Sequence, residues 1–461
     1  MMINIKSDSR KVKPGDTFVA LRGISSDGHD YIEKAIENGA SKIIAERGNY
    51  SVPTEIVPDT RLHLEKLLAD QYGHILEQMN LIGITGTNGK TTSSFLIYQA
   101  LNLNGSKTAY IGTIGFYIDK KIKDLANTTP DIAEIYDMIV TAHEQGCQNV
   151  VFEVSSQGLL HRRVAGIKFD YAVFTNLTED HLDVHGTMEN YALAKQELFK
   201  SLKSNGVALI NIDDQYKDYF LLENNRNITY GFNESDYQII DYHSNDGMTT
   251  FKYKYKGDIL ELKTTLIGQY NIYNMIVAVA LLTEMGIDYE KLTKVVPKLK
   301  APSGRLDNIR YKINNIIIDY AHTPDAILNV INTVKEVTKG NIYTVFGCTG
   351  DRDRAKRPVM LDIVTKNCKY AIITNDDPHT EDPNQIVADM TKGITRDNYE
   401  VILDRKAAII KGIDLLNEND TLLILGKGHE EYMIVGKEKI PFNDRKVVME
   451  YLESKNEQKN A

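Results

Sequence analysis

The chain has 461 residues, too many for one ordinary hydrophobic core, so two to four domains are expected. With 42 % apolar and 25 % charged residues it reads as a globular protein, and a net charge of −9 argues against bulk binding to nucleic acid or anionic membrane. Three cysteines (Cys147, Cys348, Cys368) lack metal-type spacing and fit a reducing cytoplasm, the start Met1-Met2-Ile3-Asn4-Ile5-Lys6 lacks an apolar signal core, and no stretch reaches the length of a membrane span.

Residues 1 to 80 alternate short apolar strands, Phe18–Leu21 and Lys42–Ala45, with amphipathic helices, one over Tyr31–Asn38 that ends at Gly39. Ser7-Asp8-Ser9-Arg10 lies in a polar loop beside them, where turn formation is the simplest reading. A second segment, 81–301, opens with an apolar run at Leu81–Thr85, then Gly86-Thr87-Asn88-Gly89-Lys90-Thr91-Thr92, then a helical pattern through Phe95, Leu96, Tyr98 and Leu101. Strand, glycine-bearing loop and helix in this order favour a phosphate site over a tight Asn-Gly turn with a surface lysine, because glycine lets backbone N–H groups approach an anion and the helix dipole favours it. Lys90 is placed to reach terminal phosphates and Thr91 to hold Mg²⁺. The general spacing is not met, since Ile84 stands where the first glycine of that pattern belongs.

Strands are expected at Ala109–Thr113, Asn149–Val154, Tyr171–Thr175 and Val207–Ile210, separated by helices in a mostly parallel doubly wound sheet. Residues 230–266, rich in Tyr, Thr and Lys, suggest an antiparallel excursion, and Ala301-Pro302-Ser303-Gly304-Arg305 has the composition of a hinge. The segment 302–461 repeats the alternation, with strands at Ile316–Asp319, Ile342–Phe346, Tyr370–Thr374 and Thr421–Leu425, and a polar, frayed end from Glu453 to Ala461.

Glu153 ends a very apolar strand, where a carboxylate is costly unless it is paired or binds a metal; beside a phosphate loop, Mg²⁺ ligation is favoured over a buried salt bridge. The strand-end loop Thr175–Gly186 carries His181, His185 and three acids, which raises its functional interest. Lys195 cannot be told from a solvated lysine by propensity.

Together, Thr85–Thr92, Glu153-Val154-Ser155-Ser156, Asp180-His181-Leu182-Asp183 and Tyr191-x-x-Ala194-Lys195 resemble the Mur ligases, ATP-dependent amide-forming enzymes of peptidoglycan precursor synthesis. Asp319-Tyr320-Ala321-His322-Thr323-Pro324, Phe346–Asp353, Gly426-Lys427-Gly428-His429-Glu430 and the opening Asp8–Leu21 narrow the resemblance to the MurE branch, which adds the third residue of the stem peptide. The resemblance implies an α/β chain of three domains. These are an N-terminal α/β UDP-binding domain (1–80), a central P-loop-type ATPase domain with a mostly parallel sheet (81–301) and a C-terminal Rossmann-like domain for the amino acid (302–461). It implies ATP contacts at Gly86–Thr92, Asn274, Arg305 and Asp319, and catalysis by Lys90, Glu153, His181 and Lys195. Mg²⁺ would be held by Thr91, Glu153, His181 and a carbamylated Lys195. For UDP-MurNAc-L-Ala-D-Glu it points to Ser9, Asn127, Thr128, Thr129, Ser155, His161 (where the family usually has Gln) and Arg163. Asn127–Thr129 precede Pro130, so they are extended and could face a ligand, cap the next helix, or do both.

For the amino acid it points to Arg352, Asp376, Asp377, Pro378, His379, Gly426 and Glu430. Enzymes that take meso-diaminopimelate usually carry Asp-Asn-Pro-Arg here and many lysine-adding enzymes have Ala for that Arg, so His379 leaves the choice between the two diamino acids open. A cytoplasmic monomer acting on ATP, the UDP-sugar dipeptide and a diamino acid is expected, with neither nucleic-acid binding nor membrane insertion. Two other readings are weighed: a folylpolyglutamate-synthase-like ligase, disfavoured by residues 1–80, and a nucleotide-driven switch or binding module, which would need no acceptor amine.

Overall fold

The computed structural model describes residues 4–23, 26–245 and 248–460; the other residues, and the side chains of Asp183, Asn245 and residues 456–460, lie outside the description. Near the N-terminus the strands Ile5–Lys6, Thr17–Val19, Lys42–Ala45 and Thr54–Ile56 pair in parallel in that order. The helix Ile32–Glu37 stops before Gly39, whose φ of +101° suits glycine at a helix end.

The larger sheet is built round Asn80–Thr85, which lies parallel between Asn149–Glu153 and Phe169–Phe174. Thr108–Gly112 pairs in parallel with Asn149–Glu153, and Leu202–Asn211 with Phe169–Phe174. Residues from Leu81 to Thr85 and along Thr108–Gly112 and Asn149–Glu153 are buried throughout, as expected of a parallel sheet covered on both faces. The carboxyl ends of four neighbouring strands therefore present Thr113, Ser155, Gly86 and Thr175 along one edge. At one flank Gly115–Ile118 and Lys120–Lys123 form an antiparallel meander. At the other, the expected antiparallel excursion is only partly antiparallel. Arg226–Gly231 runs parallel to Leu202–Asn211 and to Tyr237–Asn245, and the chain reverses between Met248–Tyr255 and Asp258–Thr264 at Lys256-Gly257. Both turn residues have positive φ, 49° and 93°, the backbone a tight hairpin needs.

A second sheet takes the order Asp307–Tyr311, Asn314–Asp319, Thr421–Leu425, Ile342–Phe346, Tyr370–Ile373, Tyr399–Val401, parallel apart from its first strand. Successive side chains serve opposite faces: Ile317, Phe346 and Leu425 pack with Ile331 and Leu361, whereas Ile316, Ile318 and Val345 pack with Ile409 and Val448. The end of the chain is not frayed as expected. The helix Asp444–Asn460 runs through it, anchored by buried Val447, Val448 and Leu452 and by Tyr451 and Lys455 on the Asp414 carboxylate. Among the described residues no helix is long and apolar enough to cross a membrane.

The chain forms two compact units. One comprises residues up to 241 with 251–263 and 273–299; the other comprises 242–250, 264–272 and 300 onward.

Candidate active site

In the first unit the loop after Asn80–Thr85 is shaped by two glycines. Gly86 has φ +149° and a Cβ there would collide with Thr175 Oγ1; Gly89 has φ +84° and a Cβ would come 2.6 Å from Asn274 Oδ1. Asn274 is buried and also accepts from Ser93 Oγ at 3.0 Å. The loop lies on the segment after Phe169–Phe174: Thr87 N–H donates to Asn176 O (2.8 Å), Asn88 N–H to Asn176 Oδ1 (2.9 Å), and Thr175 Oγ1 to Asn88 O (2.6 Å). The helix Lys90–Leu103 begins directly behind, with Thr91 and Thr92 buried in its first turn.

Two lysines converge on one carbonyl. Lys90 Nζ donates to Gly86 O and Thr87 O, both at 2.8 Å, and Lys195 Nζ donates to Gly86 O at 2.8 Å. Lys195 extends from the helix Met188–Lys200, is 1 % exposed, and lies 4.5 Å from the centre of the Tyr191 ring. Burial holds its amine well below the ordinary lysine range, and the Lys90 charge acts in the same direction. The residue that sequence could not separate from a solvated lysine is thus one of the most buried lysines among the described residues.

Glu153 is 1 % exposed, and among the described residues the four donors to its carboxylate are all neutral. Oε1 accepts from the Tyr110 hydroxyl and from Thr113 N–H (3.0 Å); Oε2 accepts from Thr91 Oγ1 (2.8 Å) and Thr113 Oγ1 (3.0 Å). The buried salt bridge weighed from sequence is absent from this set. His181 caps the short helix Leu182–His185 with φ +53°; its ring is 45 % exposed, 3.5 Å from Asp180 Oδ2, and edge-on to Tyr191. Tyr191 in turn accepts from Thr87 Oγ1 (3.3 Å), which ties this segment to the loop.

The residues carried for the nucleotide-sugar peptide largely meet beside Glu153. Thr128 Oγ1 lies 3.0 Å from Thr113 Oγ1; Thr129 Oγ1 donates to Glu153 O (2.9 Å), accepts from Ser155 N–H (2.9 Å) and lies 3.1 Å from Ser155 Oγ; and Arg163 Nη1 donates to Thr129 O (2.9 Å). The capping alternative fails for the threonines, because Asp131 occupies the cap of the helix Ile132–Glu144 and Thr129 is engaged elsewhere. Asn127 precedes them in the same loop. His161 closes the short helix Ser156–Leu160, where its carbonyl accepts from Arg61 (3.1 Å); burial, Arg163 and Arg61 lower its imidazole below the ordinary value. Ser9 is buried in a single helical turn capped by Asp8, and its carbonyl accepts from Asn38 (2.8 Å).

In the second unit the carboxyl-end loops gather charge. Asp319 accepts from Leu306 N–H and Ala321 N–H (2.8 Å each); burial raises its carboxyl above the ordinary value, against the effect of Arg305. Arg305 lies 4.7 Å from the centre of the Tyr320 ring. Asp376, Asp377 and Glu430 approach one another within 4.8 Å, and the Lys427 ammonium, fully buried, sits among them. It donates to Asp377 Oδ1 and Glu430 Oε2 (2.7 Å each) and lies 4.0 Å from Asp376 Oδ1. Burial alone would lower this ammonium, but the surrounding carboxylates raise it net above the ordinary value; burial raises Asp376 and Glu430. Gly426, at φ +110°, is held close to Asp376, whose Oδ2 a Cβ would strike. His379 is half-buried with φ +49°; its N–H donates to Ile434 O (3.2 Å) and its carbonyl accepts from Gly436 N–H (2.7 Å), fixing it to the hairpin Tyr432–Pro441. Pro378 is buried, and Arg352 is exposed in the loop after Ile342–Phe346.

Sequence reasoning missed four side chains that hold these arrangements: Tyr110 and Thr113 on Glu153, Lys427 among the acids, and Arg357. Arg357 is buried and grips both oxygens of Glu381 (2.9 Å each), whose Oε1 accepts from Asp351 N–H (2.7 Å), so it ties the Thr349–Arg352 loop to the loop bearing His379. The Arg357 guanidinium holds the Glu381 carboxyl at about 2. Only Thr113, directly after a strand-end glycine, carried a signal of position.

Three family descriptions match along the chain: "Mur ligase family, catalytic domain" at residues 3–72, "Mur ligase middle domain" at 84–282 and "Mur ligase, glutamate ligase domain" at 304–428. A curated Bacillus cereus protein, UDP-N-acetylmuramoyl-L-alanyl-D-glutamate–2,6-diaminopimelate ligase, is 40 % identical over 97 % of this chain and 93 % of its own. The chain belongs to the Mur ligase family. Among solved Mur ligases, one titled with the same diaminopimelate ligase name is 33 % identical, covers 98 % of this chain and 95 % of its own, and superposes with a TM-score of 0.69. The MurF ligase of Thermotoga maritima in complex with ADP, 20 % identical, covers 99 % of both chains with a TM-score of 0.72, a likeness of fold.

Proposed function

We propose that this Mur ligase uses ATP to join 2,6-diaminopimelate to the D-glutamyl carboxylate of UDP-MurNAc-L-Ala-D-Glu, in the cytoplasm, as a step of peptidoglycan precursor synthesis. The near-full-length likeness to relatives bearing that name supports the choice of substrates. The observation that carries the chemistry is Glu153, a buried carboxylate beside a phosphate loop whose four donors are all neutral. An anion so placed favours a hard divalent cation, so the site fits Mg²⁺, held by Thr91, Glu153, His181 and Lys195. When bound, the ion supplies charge neutralisation on the transferring phosphoryl group. Lys195 joins that set only as a carbamate; burial, which holds its amine well below the ordinary lysine range, favours the uncharged form that captures CO₂.

A carboxylate is a poor electrophile, and phosphorylation by ATP makes it an acyl phosphate with ADP leaving. The amine of the incoming amino acid then adds to the acyl carbon, and phosphate departs as the amide forms. Lys90 and the loop N–H groups neutralise the phosphates. Asn127, Thr128, Thr129, Ser155 and Arg163 orient the dipeptide end, with Ser9 toward the uridine nucleotide. Asp376, Asp377 and Glu430 carry surplus negative charge over Lys427 for the amino acid's ammonium groups, with His379 at the distal end. The three segments 1–80, 81–301 and 302–461 serve as domains for these three tasks.

Phosphate release from ATP, measured with and without UDP-MurNAc-L-Ala-D-Glu and with meso-diaminopimelate, L-lysine or L-ornithine, tests the reading. Release that needs both the dipeptide and meso-diaminopimelate is expected. Amine-independent release would overturn it in favour of a nucleotide-driven switch, and a preference for lysine would overturn the choice of amino acid.

A further inference from the structure

Thr113 stands where two sets of residues meet. Its N–H and hydroxyl both serve Glu153, and the hydroxyl also lies 3.0 Å from Thr128 Oγ1. A hydroxyl has one proton to donate. Because the Thr113 proton goes to the Glu153 carboxylate, the Thr128 hydroxyl donates to Thr113, and the three groups form a directed chain, Thr128 to Thr113 to Glu153. Such chains polarise their members, so a change at one end is felt at the other.

We propose that Thr113 is a positioning residue that couples the nucleotide end of the site to the loop Asn127–Thr129, so that nucleotide with its divalent cation strengthens binding of the UDP-sugar dipeptide. This rests on the functional reading above. If Glu153 holds a divalent cation, its carboxylate would accept less well from the Thr113 hydroxyl that it now engages. The Thr113 hydroxyl would then turn its proton toward Thr128 Oγ1, which leaves the Thr128 hydroxyl to donate a hydrogen bond to an anionic group of the second ligand. No bond other than these hydrogen bonds forms or breaks. The coupling is a difference in binding free energy between two sites and must therefore be reciprocal.

The geometry also supplies a clean variant. Thr113→Val keeps the shape and the N–H bond to Glu153 Oε1 and removes only the hydroxyl that joins the two ends. Thr113→Ser keeps the hydroxyl. Titration calorimetry of UDP-MurNAc-L-Ala-D-Glu into the full chain, with and without ADP and Mg²⁺, gives the coupling factor, and melting temperature checks the fold of each variant. Wild type and Thr113→Ser are expected to bind the dipeptide at least about fivefold more tightly when ADP and Mg²⁺ are present. Thr113→Val is expected to bring that factor close to one while still binding each ligand alone. A wild-type factor of one, or a Thr113→Val factor equal to the wild type's, overturns the proposal and leaves the functional reading intact. Failure of the wild type to bind the dipeptide at all overturns both.

Discussion

Replacing Lys427 by Met should expose how the charged cluster of the second unit is balanced. The ammonium is fully buried and touches two carboxylate oxygens at 2.7 Å with a third at 4.0 Å. At an effective dielectric of about 20, each short pair attracts by about 6 kcal/mol and the longer by about 4, gross of desolvation. Methionine keeps the length of the side chain and leaves Asp376, Asp377 and Glu430 within 4.8 Å of one another without their counter-ion. Breaking a buried pair from one side costs about 3–5 kcal/mol, which lowers the melting midpoint by about 6–20 °C. The loss should depend on pH. Burial raises the Glu430 and Asp376 carboxyls above their unfolded values, so their protonated forms favour the fold at low pH, and that favour is lost as pH rises through the folded values. Without Lys427 those values rise further, so the deficit should be full at pH above the raised values and shrink as pH falls through them, as the acids become neutral. Calorimetric melting of wild type and Lys427→Met from pH 4 to 8 measures this. A deficit under about 1 kcal/mol at neutral pH, or one that does not change with pH, would refute the counter-ion role.

Tyr110→Phe removes one of the four donors to Glu153 and should weaken Mn²⁺ binding in the presence of ADP by about 10-fold, read by electron paramagnetic resonance; an unchanged affinity would show that the hydroxyl does not orient the carboxylate. Arg357→Met removes the two-pronged grip on Glu381 and should cost about 1.5–3 kcal/mol at neutral pH in urea unfolding. Because the folded Glu381 value of about 2 lies below its ordinary one, that contribution is present above about pH 4.5 and fades as pH falls toward 2. His379→Arg should raise turnover of meso-diaminopimelate relative to L-lysine, since a guanidinium grips a distal carboxylate in a fork; an unchanged ratio would place His379 away from that end of the amino acid.

Much of the fold was legible because buried parallel strands are short apolar runs closed by glycine and polar clusters. Lys42–Ala45, Ile342–Phe346 and Thr421–Leu425 lie where the pattern puts them. Periodicity could not see tertiary anchoring, so the C-terminal helix was missed: most of its residues are polar, and it is held by the few apolar ones it buries, Val447, Val448 and Leu452, together with contacts such as Lys455 with Asp414. At the site, Lys90, Thr91 and Glu153 were readable from a glycine loop and from a carboxylate at an apolar strand tip. Lys195 was not, because its burial depends on which face of the helix Met188–Lys200 meets the loop, a fact of packing and not of propensity. Tyr110, Thr113, Lys427 and Arg357 escaped for the same reason. Each acts through a partner distant in sequence, or, for Lys427, through acids that the chain brings together only by folding.

The most direct test of the whole account is the product itself. Incubating the chain with ATP, Mg²⁺, UDP-MurNAc-L-Ala-D-Glu and meso-diaminopimelate, and weighing the nucleotide sugar by mass spectrometry, should show it gain one diaminopimelyl residue in step with ADP formation. ADP formed while the dipeptide keeps its mass would contradict it.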